Sequence, residues 1–167
     1  DTCLTFLPGA ADAMLLKLQA YAAVGDAQAA KEQAEEYLAT YPEQTEVYSV
    51  LGELLAVAGD HAGAVEAYTS YMASVEEAPA SAYEMRGQCL LQMGRYEEAV
   101  ADLTQAIDLS EAAQPRTHYL RAIAQMQLGD NAAATPDLDM CVTYLAEEEA
   151  RMAEGGRYMP QIDADGL

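Results

Sequence analysis

The chain has 167 residues, of which 51% are hydrophobic by type, and its 28 acidic residues against 8 Lys and Arg give a formal net charge of −20. Nucleic acids and anionic membrane surfaces bind proteins through clustered positive charge, so this balance argues against both as partners. The sequence has no run of about 18 apolar residues, which argues against membrane insertion.

A repeat runs through most of the sequence. Four glycines recur at intervals of 34, 35 and 35 residues, namely Gly25, Gly59, Gly94 and Gly129. The fifth residue after each of them is alanine, in the order Ala30, Ala64, Ala99 and Ala134. Apolar residues at helical spacing lie on both sides of each glycine, and a glycine between two helices supplies a left-handed turn. Each copy therefore predicts two helices that are joined by a tight turn and cross closely where the side chains are small.

In chain order, the pattern predicts helices over 11–24, 27–40, 45–58, 61–75, 80–93, 96–109, 115–128 and 131–146. They pair into four units, 11–44, 45–79, 80–114 and 115–148. Stacked helix pairs form a solenoid, so the predicted fold is all-α, with about eight antiparallel helices. Two further parts are predicted outside the units, an N-terminal segment over 1–10 and a helix extension with a tail over 149–167.

Pro136 leaves two alternatives for the eighth helix. It either kinks a helix that begins near residue 131, or it is the first residue of a helix that Thr135 caps. In the second case we expect the helix to continue to about Glu154, where Gly155 and Gly156 would end it. No complete capping helix follows, so we expect either that the array stacks end to end with a second copy or that the chain is cut from a longer one.

The third unit has the fullest set of repeat positions, which are Tyr83, Gly87, Leu90, Gly94, Tyr96, Ala99, Leu103 and Ala106. A helix pair of this length and pattern resembles the tetratricopeptide repeat, and the resemblance extends over residues 11–148. It implies a right-handed superhelix in which the first helix of each unit lines a concave groove. It also implies that the groove binds an extended peptide or a helix of a protein partner.

The sequence has none of the common catalytic motifs, such as a P-loop, HExxH or GxGxxG. His61 and His118 belong to different units, and we interpret both as packing or surface residues. Cys3, Cys89 and Cys141 have no spacing typical of a zinc site or a disulfide framework, and we interpret them as two core residues and one terminal thiol. We therefore predict a protein that is not an enzyme and binds no cofactor and no metal.

A charged pair recurs in the second half of the chain. Arg86 and Arg121 occupy the same position in units three and four, and Asp102 and Asp137 share a position on the following helix. Units one and two have neither member of the pair. This joint occurrence predicts an Arg–Asp contact between the two helices of a unit, with a structural role rather than a role in ligand binding.

The candidate binding site is the groove that the resemblance implies. Its lining is predicted from the residues of first helices that point away from the packed positions, which are Leu15, Gln19, Ser49, Glu53, Ala56, Glu84, Gln88, Leu91, Arg116, Tyr119, Ile123 and Met126. The first three units present an acidic to neutral surface, and the fourth presents apolar side chains with Arg116 at the edge. Family members that capture the acidic C-terminal tails of heat-shock chaperones use Lys, Asn and Arg in such positions, and only Arg116 fits that set. We therefore expect the groove to reject acidic tails.

The leading hypothesis is a non-catalytic protein-interaction scaffold that binds a peptide or helix of neutral or basic character in the groove. One alternative is a self-assembling structural array that associates through its repeat ends or its C-terminal tail. Another is an interaction domain trimmed from a larger enzyme or sensor. We expect a soluble protein, and the sequence leaves open whether it is cytoplasmic or exported after removal of an N-terminal signal.

Overall fold

A computed structural model describes residues 10–110 and 114–155. Its helices are α1 (Ala10–Ala23), α2 (Ala27–Thr40), α3 (Val47–Ala58), α4 (His61–Ser74), α5 (Ala80–Gln92), α6 (Tyr96–Asp108), α7 (Pro115–Gln127) and α8 (Asn131–Gly155). No strand occurs in these two ranges. The all-α solenoid is therefore confirmed, whereas Cys3, the segment 1–9 and the tail 156–167 lie outside the described residues.

The turns within the units form as the glycine spacing predicts. The four repeated glycines have φ angles of 77°, 86°, 75° and 82°, a left-handed conformation that glycine adopts without steric cost. An aspartate follows three of them, and its carboxylate accepts a hydrogen bond from a backbone N–H in the first turn of the next helix; these caps are Asp26, Asp60 and Asp130. Each glycine thus ends one helix, and in these three units the next residue starts another.

Small residues let the two helices of a unit approach each other. A Cβ atom on Gly52 would lie 2.9 Å from the ring of Tyr68, and one on Gly87 would lie 3.0 Å from Leu103. The repeated alanines are 0–2% exposed, as Ala64 and Ala99 show at 0%. The predicted close crossing of the two helices is confirmed, because any added side-chain volume there would displace a buried neighbour.

The eighth helix combines parts of both alternatives. It begins at Asn131 with Asp130 as its cap, so the predicted start at Pro136 with Thr135 as cap is wrong. The helix nevertheless continues to Gly155, the end that belonged to that second alternative. Pro136 lies within it and lacks the N–H that would bond to an earlier carbonyl, while the hydroxyl of Thr135 donates to the carbonyl of Asn131 over 2.9 Å.

Successive first helices contact one another along the array, in the pairs α1–α3, α3–α5 and α5–α7. Within the described part of the chain, successive second helices meet at isolated points at most, such as the ion pair between Lys31 and Glu66. The side of a curved stack on which helices lie closer together is the inner side. The first helices, which carry the predicted groove residues, therefore lie on the inner side of the array.

Candidate functional site

The predicted groove residues lie on the first helices α1, α3, α5 and α7, and none of them is fully buried. Tyr119 and Met126 on α7 are 52% and 49% exposed, which is high for large apolar side chains. Leu15, Leu91 and Ile123 are half-buried, whereas Gln19 and Glu53 are exposed. The inner face is therefore a mixed surface, apolar towards α7 and acidic at α3.

An ion-pair network on the inner face connects α5 to α7. The guanidinium of Arg116 donates to the carboxylate of Glu84 over 2.6 Å and to the amide oxygen of Gln88 over 2.7 Å. The hydroxyl of Thr117 donates to the other carboxylate oxygen of Glu84 over 2.9 Å. Glu84 therefore presents no uncompensated charge to a partner, and Glu53 is the acidic groove residue that makes no ion pair within the described ranges.

Four predicted residues share one cavity, which we call the α3–α5 cavity. Its volume is about 320 Å³, and α3, α4, α5 and α7 enclose it. The predicted residues in its lining are Glu53, Ala56, Gln88 and Arg116, and the residues that the sequence did not identify are Val57, His61, Tyr68, Met85, Cys89 and Gln92. The remaining predicted groove residues lie outside it.

The prediction missed His61 and Tyr68 because it considered first helices alone, whereas both come from α4, a second helix. One signal in the sequence could have found it. Tyr68 stands at the position that the other units fill with aliphatic residues, namely Ala34, Leu103 and Leu138. A tyrosine there brings a hydroxyl into a region that is otherwise apolar.

Two residues of this lining each have a polar atom that is buried without a hydrogen-bond partner. The hydroxyl of Tyr68, whose residue is 1% exposed, and Nδ1 of His61 make no hydrogen bond in the described structure. Burial, and to a smaller extent the negative charge of Glu53, raises the pKa of Tyr68, so the side chain is a neutral phenol that can donate and accept. Burial also raises the pKa of the Cys89 thiol, which makes it a poor nucleophile.

The predicted Arg–Asp contacts are present in both units. In unit three, two nitrogens of Arg86 donate to the two carboxylate oxygens of Asp102 over 2.7 and 2.8 Å. In unit four, Arg121 and Asp137 make the same pair of bonds, each over 2.7 Å. This bidentate geometry is the strong form of an ion pair.

Each of these arginines also contacts the preceding unit, which the sequence analysis missed. The remaining guanidinium nitrogen of Arg86 donates to the hydroxyl of Thr69 on α4, and that of Arg121 donates to Thr104 on α6, both over 3.1 Å. The two threonines lie 35 residues apart, at the same position of the repeat. Each arginine therefore connects three helices and fixes two neighbouring units to each other.

His118 joins the pair in unit four, with its Nδ1 atom 2.6 Å from a carboxylate oxygen of Asp137. Burial alone would raise the pKa of Asp137, but the hydrogen bonds from Arg121 and His118 outweigh it and lower the pKa. Asp137 is 3% exposed. This cluster is closed to a ligand, and it fits a structural role.

The two described ranges hold neither a metal-ligand cluster nor a membrane-spanning helix. Those ranges contain no group of three or more His, Cys, Asp and Glu side chains placed to hold a metal ion. No helix in them combines the length and the apolar character that crossing a bilayer requires.

Comparison with known proteins adds two findings. Sequence profiles of the tetratricopeptide repeat match residues 15–82, 80–112 and 115–136. No protein with a curated description matches the chain at a significant level.

Several solved structures share the fold. MamA AMB-1 is 22% identical with a TM-score of 0.65, over 80% of this chain and 72% of its own. MamA MSR-1 is also 22% identical with a TM-score of 0.65, over 83% and 78%. The MamA RS-1 ArsTM double mutant is 17% identical with a TM-score of 0.69, over 85% and 79%. At these identities the similarity is one of fold.

Proposed function

Because the chain belongs to the tetratricopeptide repeat family, we propose that it is a non-catalytic interaction scaffold that binds a protein segment of neutral or basic character on its inner face. Arrays of this kind use extended concave surfaces for binding. The observation that carries the proposal is the arrangement of the inner face, where Tyr119 and Met126 are half exposed and Glu53 has no partner charge in the described ranges.

The charges on this face favour a neutral or positively charged partner over a negatively charged one. Arg116 is occupied by Glu84 and Gln88, so it is a weak anchor for an acidic tail. Glu53 remains available to a cation, and like charge across an interface reduces affinity. The large negative charge of the whole chain adds a long-range attraction for basic segments that salt weakens.

The test compares a basic, a neutral and an acidic peptide of equal length by isothermal titration calorimetry at two salt concentrations. We expect the basic and neutral peptides to bind in preference to the acidic one, with the basic peptide losing affinity in salt. Glu53→Lys should reduce the affinity for the basic peptide. Glu97→Lys on α6 makes the same charge change away from the inner face and should reduce that affinity less.

Two outcomes would contradict the proposal. One is preferred binding of the acidic peptide, and the other is an equal effect of Glu53→Lys and Glu97→Lys. Glu84→Lys is unsuitable for this test, because it would also break the ion pair with Arg116 and disturb the contact between α5 and α7.

One observation favours self-association as a second candidate function. The long helix α8 exposes Val142, Leu145 and Met152, at 66%, 61% and 73%. Exposed apolar side chains on one helix are the kind of surface that a second copy can cover. Light scattering over a range of concentrations tests this candidate, since an assembling chain gains mass with concentration and Leu145→Glu should prevent the gain. A mass that stays at the monomer value at every concentration would contradict self-association.

A further inference from the structure

We propose that copies of this chain stack head to tail, with an exposed face of α1 in one copy packed against an exposed face of α8 in another. The proposal rests on self-association, the second candidate function above, and it names the two surfaces that would meet. The junctions between units inside the array provide the template for this contact.

The first of these surfaces, the α1 face, consists of Ala13, Leu16, Lys17 and Ala20. In later units the residues equivalent to Ala13 are buried, and they are Val47, Ala82 and Thr117 at 3%, 3% and 1% exposure. The residues equivalent to Leu16 are half-buried, and they are Val50, Met85 and Leu120. In α1, however, Ala13 is exposed and Leu16 is 65% exposed. The α1 face is thus the side that later first helices bury against a preceding unit.

The second surface, the α8 face, consists of Asp139, Val142 and Leu145. The residues equivalent to Asp139 are Thr69 and Thr104, which contact the first helix of the following unit. The residues of unit two equivalent to Val142 and Leu145 are half-buried, and they are Met72 and Val75. In α8 the same two positions are 66% and 61% exposed. The α8 face is thus the side that a second helix presents to a following unit.

The two faces carry opposite charges at the position where inner junctions have a hydrogen bond. Arg86 donates to Thr69 across the junction between units two and three. Lys17 is the equivalent of Arg86 on the α1 face, and Asp139 is the equivalent of Thr69 on the α8 face. Lys17 is 54% exposed, and its contact with Glu36 is long at 3.8 Å. In a stack that continues the repeat, Lys17 of one copy therefore meets Asp139 of the next.

This contact has a distinctive dependence on salt. Each copy carries a net charge of −20, so copies repel one another at long range. Salt screens that repulsion, while the apolar contact between Leu16, Val142 and Leu145 does not depend on it. Association should therefore strengthen in salt, which is the opposite of the behaviour expected for a basic peptide on the inner face. Because the two faces differ, the contact is heterologous and each copy can add another.

The experiment is sedimentation velocity on the full chain over a range of concentrations in moderate salt. Leu16→Glu blocks the α1 face and Leu145→Glu blocks the α8 face, so each variant alone should stay monomeric while the unaltered chain gains mass. An equal mixture of the two variants should form dimers and nothing larger, because each variant retains one of the two faces. The control is Val57→Glu, which changes a residue of 89% exposure in unit two and should associate like the unaltered chain.

Charge reversal tests the pair between Lys17 and Asp139. Lys17→Asp should weaken association roughly tenfold, because it replaces an attraction at the surface with a repulsion. Adding Asp139→Lys to that variant should recover most of the affinity. Adding Glu97→Lys instead restores the net charge without the pair and should not recover it. Equal recovery by both would show that Lys17 does not meet Asp139. Circular dichroism checks that every variant keeps its helix content.

The outcomes separate this proposal from self-association itself. A chain that stays monomeric at every concentration contradicts both, and it leaves the two faces to the flanking segments 1–9 and 156–167. If the unaltered chain associates and Leu16→Glu alone does so equally well, or if the mixture of variants forms no dimer, self-association stands and head-to-tail stacking is wrong. The peptide titrations on the inner face are independent of either result.

Discussion

At the scale of single residues, Tyr68 combines close packing with an unsatisfied polar group. Its ring lies against Gly52, where a Cβ atom would come within 2.9 Å, and its hydroxyl is buried without a hydrogen bond. The ring favours folding through burial, whereas the unpaired hydroxyl opposes it. The two effects act in opposite directions on the free energy of unfolding.

We expect Tyr68→Phe to leave the free energy of unfolding unchanged or to raise it by up to about 1 kcal/mol, because it removes a buried hydroxyl that has no partner. Urea denaturation measures the change, with Tyr71→Phe as the control. A clear loss of stability that Tyr71→Phe does not share would show that the hydroxyl is satisfied in the folded protein.

The repeated alanines give a second prediction at this scale. Ala99 is fully buried where α5 and α6 cross, so Ala99→Leu should lower the free energy of unfolding by about 1–3 kcal/mol through overpacking. Ala101 is exposed on the same helix, and Ala101→Leu should be nearly neutral in the same urea experiment. Equal effects of the two substitutions would mean that the helix register of this unit is wrong.

At the scale of the helices, the arginines of α5 and α7 decide how neighbouring units are joined. Arg86 is 21% exposed in its side chain and Asp102 is 10% exposed, so the pair lies well below the surface. A partly buried carboxylate that loses its partner pays most of its desolvation cost without compensation. The pair is therefore expected to matter to stability more than an exposed one would.

Arg86→Ala should lower the free energy of unfolding by about 2–4 kcal/mol, somewhat less than the loss of a fully buried partner. Thermal and urea denaturation measure this, and Arg95→Ala is the matched control because Arg95 pairs with Glu98 at the surface. Peptide affinity at a temperature where the variant is folded should stay unchanged. A loss of affinity without a loss of stability would overturn the structural role.

The cluster around Asp137 predicts a pH dependence. Its pKa is lowered in the folded chain, so its contribution to stability is present above the pKa of an unfolded aspartate and is lost as the pH falls through the lowered value. From about pH 5 downward, the stability difference between the unaltered chain and Asp137→Asn should therefore shrink. Urea denaturation at several pH values measures it, with the exposed Asp139→Asn as the control. A difference that stays constant with pH would contradict the assignment.

At the scale of the whole molecule, each unit is stabilised by its neighbours, because a helix pair cannot bury its apolar face alone. The third unit has neighbours on both sides and is joined to the second through Arg86 and Thr69. The first unit contacts only the unit that follows it within the described ranges. A substitution that disrupts packing in the third unit should therefore destabilise the units on both sides of it.

Hydrogen exchange followed by mass spectrometry tests this spread. Ala99→Leu should speed amide exchange in α3, α4 and α7 as well as in its own unit. Ala30→Leu introduces the same overpacking in the first unit, and its effect should be confined largely to α1, α2 and α3. Similar spread from both substitutions would mean that the array unfolds as one cooperative body.

The sequence by itself determined the repeat, the all-α fold and the Arg–Asp pairs, because these depend on local spacing and on residues that recur together. The glycine turns and the buried alanines follow from backbone geometry that any copy of the repeat must share. The continuous course of α8 through Pro136 was left open, because packing against α7 decides whether a helix tolerates a proline.

Only the tertiary structure decided how the predicted groove residues are placed relative to one another. Glu84 was predicted as part of an acidic to neutral groove surface, and the distance to Arg116 shows that its charge is paired. Tyr68 and His61 line the α3–α5 cavity from a second helix, and the alternation of first and second helices along the chain does not place them there. The physical reason is that pairing and burial are set by contacts between units, whereas spacing along the chain fixes only the contacts within one.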